Sequence, residues 1–287
     1  MKITDIINER ETSVSLEVFP PKKWDNIGAV KGVVKEMCEN SDPAFVSVTY
    51  GAGGFTPQFT MEVAQSVKEV GREPLFHLTC VTSTKEKIIS ILDELKANNI
   101  ENVLALRGDI PEGFVFPDKQ HFSHANELVS VIKSHGDFCV GGACYPEMHP
   151  DSKDLKQDMD MLKKKVDCGV DFLVTQLFLD NNRFYDFRER CVAQHIDVPI
   201  EAGIMPITNA SLITKSIALS NATIPDKFYK LVERFGENAT VMREVGVIYA
   251  LNQIVDLIAN GVRHIHIYTM NKPLVTKKII EGLNEIL

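Results

Sequence analysis

The chain has 287 residues, 44% apolar and 24% charged, which suits a soluble globular protein with a sizeable core. Its net charge of -8 argues against a nucleic-acid or anionic-membrane partner for the chain as a whole, so an anionic ligand would need local cations or helix N-termini. No run approaches ~18 consecutive apolar residues, and Met1–Arg10 is charged throughout without an apolar h-region, so neither a membrane span nor a signal peptide is expected.

Strand-like runs recur along the chain, with helical patterns between them. In order they are Ser13–Phe19, Phe45–Tyr50, Leu75–Thr79, Val103–Leu106, Phe138–Tyr145, Phe172–Phe178, Ile200–Met205 and His264–Tyr268. Through the seventh they are spaced about 30 residues apart, the size of one strand-plus-helix unit. Ser83-Thr-Lys-Glu86 reads as a capping box ahead of the stripe Ile88, Leu92, Leu95. Leu155, Met159, Leu162 and Val166 give a second stripe, with Gly169 as its stop. The longest interval, between strands seven and eight, must hold extra helix. Pro225 reads as a helix start there, Val241–Ile258 as a longer helix, and Lys272–Leu287 as the last. Eight such units predict an α/β fold, a (β/α)8 TIM barrel with extra helix between strands seven and eight, in one domain spanning 1–287. An open doubly wound sheet shows similar alternation. Cys38, Cys80, Cys139, Cys144, Cys168 and Cys191 lie scattered without paired spacing, which predicts reduced thiols in a cytoplasmic protein and no metal centre.

In a barrel of this kind the site gathers where strands run into their following loops. The fourth strand ends on Arg107-Gly108-Asp109, a guanidinium and a carboxylate flanking a glycine that lets a ligand approach the backbone. Other strand ends bring Glu17, Thr49, His77, Tyr145, Glu147, His149, Gln176 and Tyr268. Glu17 alone reads equally as a solvated edge carboxylate, and a lone strand histidine or tyrosine is more often a satisfied core group. Their gathering at one rim is the signal. Asp158 and Lys165 are two helical turns apart, on one side of their helix, and Lys163-Lys164-Lys165 could neutralise a phosphate pair or simply form a solvated face.

No GxGxxG after a strand, GxxxxGK[ST], HExxH or GxSxG is found. The rim offers carboxylates, a guanidinium and amide or hydroxyl donors without an activated nucleophile. That set suits proton transfer beside an organic cofactor.

Eight pieces then resemble one family, in the family's order and over essentially the whole chain. They are Ser15-Leu-Glu-Val-Phe-Pro-Pro21, Val46-Ser-Val-Thr-Tyr-Gly51, His77-Leu-Thr-Cys80, Leu104-Ala-Leu-Arg-Gly-Asp109, Tyr145-Pro-Glu-Met-His-Pro150, Lys163-Lys-Lys-Val-Asp167, Thr175-Gln-Leu-Phe178 and Ile267-Tyr-Thr-Met-Asn271. The family is 5,10-methylenetetrahydrofolate reductase, the bacterial flavoprotein type, without the regulatory domain of the human-type enzymes.

The resemblance implies a barrel holding non-covalent FAD. Flavin contacts carried over position by position are Thr49, Tyr50, Ala52, His77, Arg107, Gly108, Asp109, Ala125, Tyr145, His149, Asp158, Lys164 and Lys165. Glu17, Asp109, Gln176, Tyr268 and Lys272 are implied to meet the folate. The implied reaction has two halves. NADH or NADPH passes hydride to FAD and leaves. Methylenetetrahydrofolate then takes its place, opens its five-membered ring and receives the hydride, in one-carbon and methionine metabolism. Glu17 is implied as the acid that protonates the departing nitrogen, and Asp109 as the group that disfavours added negative charge on reduced flavin. A homo-oligomer is implied, and an electron-transfer partner subunit is possible within the family.

Some positions depart from the best-known bacterial pattern. Met161 stands where an asparagine contacts the flavin, and Lys164 and Lys272 replace arginines. Leu212 and Ser216 stand where a glutamine and a phenylalanine help hold folate or nicotinamide. The competing readings are another flavin barrel of the proline-dehydrogenase kind, a non-catalytic subunit of a one-carbon complex, and a pterin methyltransferase barrel.

Overall fold

The strands form on short apolar runs, some of which, such as the first and the last, carry polar residues at alternate places. They are β1 (Ser13–Val18), β2 (Val46–Val48), β3 (Pro74–Thr79), β4 (Asn102–Leu106), β5 (Cys139–Cys144), β6 (Phe172–Thr175), β7 (Ile200–Ile204) and β8 (His264–Tyr268). Each pairs in parallel with the next, and β8 closes onto β1 with Ser15 opposite His266 and Glu17 opposite Tyr268. The result is the expected closed (β/α)8 barrel, shown here by a computed structural model that describes residues 1–50, 57–81, 83–110, 120–213 and 220–287. Among the described residues, no helix is long and apolar enough to cross a membrane. All six cysteines are free thiols.

Helices wrap the outside. They are α1 (Ile3–Asn8), α2 (Ile27–Ser41), α3 (Pro57–Glu69), α4 (Lys85–Ala97), α5 (Ala125–His135), α6 (Leu155–Asp167), α7 (Asn181–Ala193), α8 (Asp226–Phe235), α9 (Ala239–Ala259) and α10 (Pro273–Leu283). The extra helix expected between strands seven and eight is present as α8 and α9, with Pro225 as the N-cap of α8 rather than its first residue. Outward strand residues such as Val14, Leu16, Val103, Val140 and Ile265 join the helices in one large buried cluster. Gly169 follows the end of α6 with φ +110, the left-handed conformation a glycine tolerates.

The capping box shifts by one residue. The N-cap of α4 is Thr84, whose side chain accepts from Lys87 N at 3.3 Å. Ser83 is buried and turned instead to the Tyr50 hydroxyl. Thr84→Ala is therefore expected to lower the unfolding free energy by about 1 kcal/mol. It should be read as a lower denaturant midpoint at unchanged slope, whereas Ser83→Ala leaves the cap in place.

The lower barrel interior is apolar. Phe45, Leu75, Leu104, Phe172 and Val174 form an apolar cluster that Ile3 and Ile7 of α1 close from below. Asn102, at the foot of β4, holds this plug by accepting from Ile3 N at 2.8 Å and donating to the Met1 carbonyl at 3.1 Å. The upper interior is polar, and the site lies there.

Candidate active site

Three strands bring ionisable groups to one point inside the upper barrel. Glu17 Oε2 lies 3.7 Å from His77 Nε2 and 3.7 Å from His266 Nε2. All three are buried, with Glu17 at 7% exposure, which removes the reading of a solvated edge carboxylate. The period-two alternation of β1 and β8 produces this, since Ser15 and Glu17 share the inner face and so do His264, His266 and Tyr268. Each imidazole has a hydroxyl partner: Ser47 Oγ is 2.5 Å from His77 Nε2, and Ser15 Oγ is 2.7 Å from His266 Nδ1. Beneath them Ser15 Oγ also lies 2.9 Å from Glu201 Oε2 on β7.

Burial sets the protonation of this cage. It lowers the His77 pKa to about 4 against the opposing Glu17 charge, with His266 adding to the lowering, so His77 is neutral near pH 7. Its contact with Glu17 is then not an ion pair. Burial also pushes Glu201 up to about 8, opposed by the Ser15 hydrogen bond. The Tyr268 phenol is held well above its ordinary value by burial and then by the Glu17 charge, and its hydroxyl donates to the Thr175 carbonyl at 2.6 Å. The backbone around Glu17 is fixed from the β8 side. Thr269 Oγ1 donates to the Glu17 carbonyl at 2.6 Å, and the Asn271 amide clamps both backbone groups of Phe19 at 2.9 and 2.8 Å.

A second set forms the wall. Arg107, just past β4, pairs with Asp151 at 2.7 Å. Gly108 has φ +84, and a Cβ there would lie 2.9 Å from the Thr79 Cβ, so glycine is required on both counts. Asp109 is exposed at the mouth, and its charge, after burial, helps raise the Tyr145 phenol. Tyr145 hydrogen-bonds Gln176 and meets His149 edge-on at 4.6 Å between rings. His149 Nδ1 accepts from Asp151 N at 3.0 Å, which leaves Nε2 to carry the ring proton. Asp158 accepts from His149 N at 3.1 Å and from Ser152 Oγ at 2.7 Å.

Asp158 and Lys165 do share a helix side, both bonding β5 and its following loop, since Lys165 donates to the Ala143 carbonyl. The triple lysine divides its duties. Lys163 is paired with Asp167, Lys165 is spent on the wall, and only Lys164 of the three stands exposed. Thr49 and Tyr50 follow β2, where the Thr49 carbonyl accepts from Thr60 at 3.2 Å. Ala125 opens α5, and Lys272 is exposed with its ammonium 2.7 Å from Thr208 Oγ1. Glu147 is taken up by the loops after β5 and β7. Its carboxylate accepts from Thr223 N at 2.9 and 3.0 Å, tying two loops together. Ala52 and Ser216 lie outside the described residues. Ser15, Ser47, Asp151, Glu201 and His266 belong to the site although their strands, read singly, do not single them out.

A parallel barrel whose strand ends gather an acid, two imidazoles and separate cations is a barrel enzyme with its site at the strand mouths. The comparisons narrow the class. Residues 2–284 match the family model described as Methylenetetrahydrofolate reductase. The chain is 34% identical over 272 residues to 5,10-methylenetetrahydrofolate reductase of Pectobacterium carotovorum, covering 94% of this chain and 90% of that one. It is 33% identical over 281 residues to the Escherichia coli protein of that name, covering 95% and 91%. A solved Clostridium thermocellum protein, described as binding two copies of 5-methyl-5,6,7,8-tetrahydrofolic acid, shares the fold at TM-score 0.70 and 14% identity, covering all of both chains. The chain belongs to the methylenetetrahydrofolate reductase family, and the reduction of methylenetetrahydrofolate is the activity that this membership supports.

Proposed function

We propose that this chain converts 5,10-methylenetetrahydrofolate to 5-methyltetrahydrofolate with FAD as its bound cofactor and NAD(P)H as the electron donor. The observation that carries the reading is the buried Glu17 carboxyl, set between two imidazoles below a mouth whose wall presents cations. The donor set suits a dinucleotide. Arg107, exposed Lys164 and the N-terminus of α5 at Ala125 are the groups a diphosphate takes as partners, and His149 Nε2–H and Tyr50 add donors and ring surface. FAD, when bound, supplies the hydride that it has taken from the nicotinamide.

The protein's own residues do the rest. Glu17 gives a proton to the folate nitrogen that departs as the five-membered ring opens, and the neutral His77 beside it adds no competing charge. Gln176 and Tyr268 orient the folate, Lys272 meets its anionic tail, and Asp109 disfavours extra negative charge beside the hydride donor. Arg107 is pre-aimed by Asp151, which keeps the guanidinium in one orientation until an anion competes for it.

A titration of the purified chain with FAD, followed by flavin fluorescence, tests the cofactor half of the proposal. Saturable binding is expected. Arg107→Ala removes a charge-assisted bond worth about 1.5–3 kcal/mol and so should weaken binding roughly 10- to 100-fold. A chain that binds no FAD contradicts the reading.

A further inference from the structure

Beneath Glu17 the barrel holds a buried acid that the reaction as outlined does not use. Glu201 is fully buried on β7, and its Oε1 has no hydrogen-bond partner among the described residues. Its Oε2 meets Ser15 Oγ at 2.9 Å, the same oxygen meets His266 Nδ1 at 2.7 Å, and His266 Nε2, otherwise unpartnered, faces Glu17 Oε2 at 3.7 Å. The four residues form one line from the barrel centre to the proposed acid.

We propose, resting on Glu17 as the acid of this reductase, that Glu201 is a positioning residue that stores the proton Glu17 delivers and passes it up through Ser15 and His266. The line has two complete proton arrangements. In the first, Glu201 O–H donates to Ser15 Oγ, Ser15 O–H donates to His266 Nδ1, and His266 Nε2–H points to a Glu17 carboxylate. In the second, Glu201 is ionised and accepts from Ser15, Ser15 accepts from His266 Nδ1–H, and Nε2 accepts from the Glu17 acid. Three transfers interconvert them: from Glu201 to Ser15 over 2.9 Å, from Ser15 to His266 Nδ1 over 2.7 Å, and from His266 Nε2 to Glu17, where the 3.7 Å gap must first close by a small swing of the Glu17 side chain. The net change is one proton moved from Glu201 to Glu17, and His266 carries one ring proton throughout. After Glu17 has protonated the folate nitrogen and product has left, Glu17 takes a proton from water at the mouth and the line resets. Folate covering the mouth therefore does not strand the acid without its proton.

The surroundings favour storage at Glu201. A bare carboxylate with an orphaned oxygen, buried beside its β6 partner Val174, is costly, and a neutral acid is not. The buried titratable groups on the inner faces of the strands are Glu17 on β1, His77 on β3, Cys139 on β5, and His264, His266 and Tyr268 on β8; Ser47 of β2 and the β6 residues do not titrate. Burial holds Glu201 protonated up to about pH 8, so the store is full below that pH and empties as pH rises through it.

Glu201→Gln keeps the shape and breaks the transfer. Two measurements decide. In an infrared pH titration of the purified protein, a carboxylic-acid C=O band that disappears near pH 8 is expected, and Glu201→Gln should abolish it. In stopped flow on the flavin-loaded enzyme, the folate half-reaction of Glu201→Gln should slow by roughly tenfold or more, with its alkaline limb moved to lower pH and flavin reduction by NAD(P)H retained. Ser15→Ala should reproduce the slowing. Absence of the band, or an unchanged rate and pH profile in Glu201→Gln, overturns the proposal. A wild-type enzyme with no folate half-reaction would instead sink the proposed function while leaving the infrared result readable.

Discussion

Glu17→Gln is expected to slow the folate half-reaction by about 10²–10⁴-fold while reduction of the flavin by NAD(P)H survives. The amide fills the same space between His77 and His266 but holds no transferable proton. The bonds that fix this part of the chain reach its backbone, from the Thr269 side chain to the Glu17 carbonyl and from the Asn271 side chain to Phe19, so the substitution leaves them untouched. The loss should therefore fall on the step that needs an acid and not on cofactor binding. Stopped-flow traces of the two half-reactions separate these effects. An unimpaired folate step would remove Glu17 from the role, and equal loss in both steps would make its role structural.

The second large effect is expected at Gly203. Its N–H donates to Thr175 Oγ1 at 2.8 Å, where β7 runs beside β6. A Cβ there would overlap the Thr175 carbonyl oxygen and lie 2.8 Å from the Tyr268 ring. That carbonyl is also the acceptor that anchors the Tyr268 hydroxyl, so a methyl group must displace the strand, the ring or both. Gly203→Ala should cost about 1–3 kcal/mol of stability, as overpacking in a tight core does. It should also raise the KM for folate, roughly tenfold for each 1.4 kcal/mol lost from the Tyr268 contact. Denaturation and steady-state kinetics on one preparation check both parts. A lower unfolding midpoint with an unchanged KM would mean that Tyr268 does not touch the folate.

Much of this architecture was legible because burial on both faces writes a parallel strand as a short apolar run. His264–Tyr268 matches its strand end to end, and most others agree within a residue or two. The sixth overran. Gln176-Leu-Phe178 continues the apolar pattern, but Gln176 folds back to accept from Leu177 N, and Leu177 leaves to pack with Phe228 and Met242. The plug helix α1 was illegible, since six residues with charged neighbours show only Ile3, Ile6 and Ile7, too short a run to display a period.

The site was legible in part for a related reason. Glu17, His77 and Tyr268 stand out as polar groups in apolar strands. Ser15, Ser47, His266 and Glu201 look individually like satisfied core residues. Only closure of β8 onto β1 puts Ser15 beside His266, 251 residues away, and only the barrel's cross-section brings Glu201 to the same hydroxyl from 186 residues away. Asp151 likewise reads as loop charge until the fold sets it against Arg107. A single sequence shows which strand faces are polar, and the barrel decides which of them meet.

The proposed function requires one mouth to serve a flavin first reduced by nicotinamide and then reoxidised by folate. The visible spectrum of the purified, FAD-loaded protein under anaerobic conditions tests it most directly. Addition of NADH or NADPH should bleach the flavin, and methylenetetrahydrofolate should then restore its colour with formation of 5-methyltetrahydrofolate. A flavin that neither nicotinamide bleaches, or that stays bleached when the folate is added, contradicts the account.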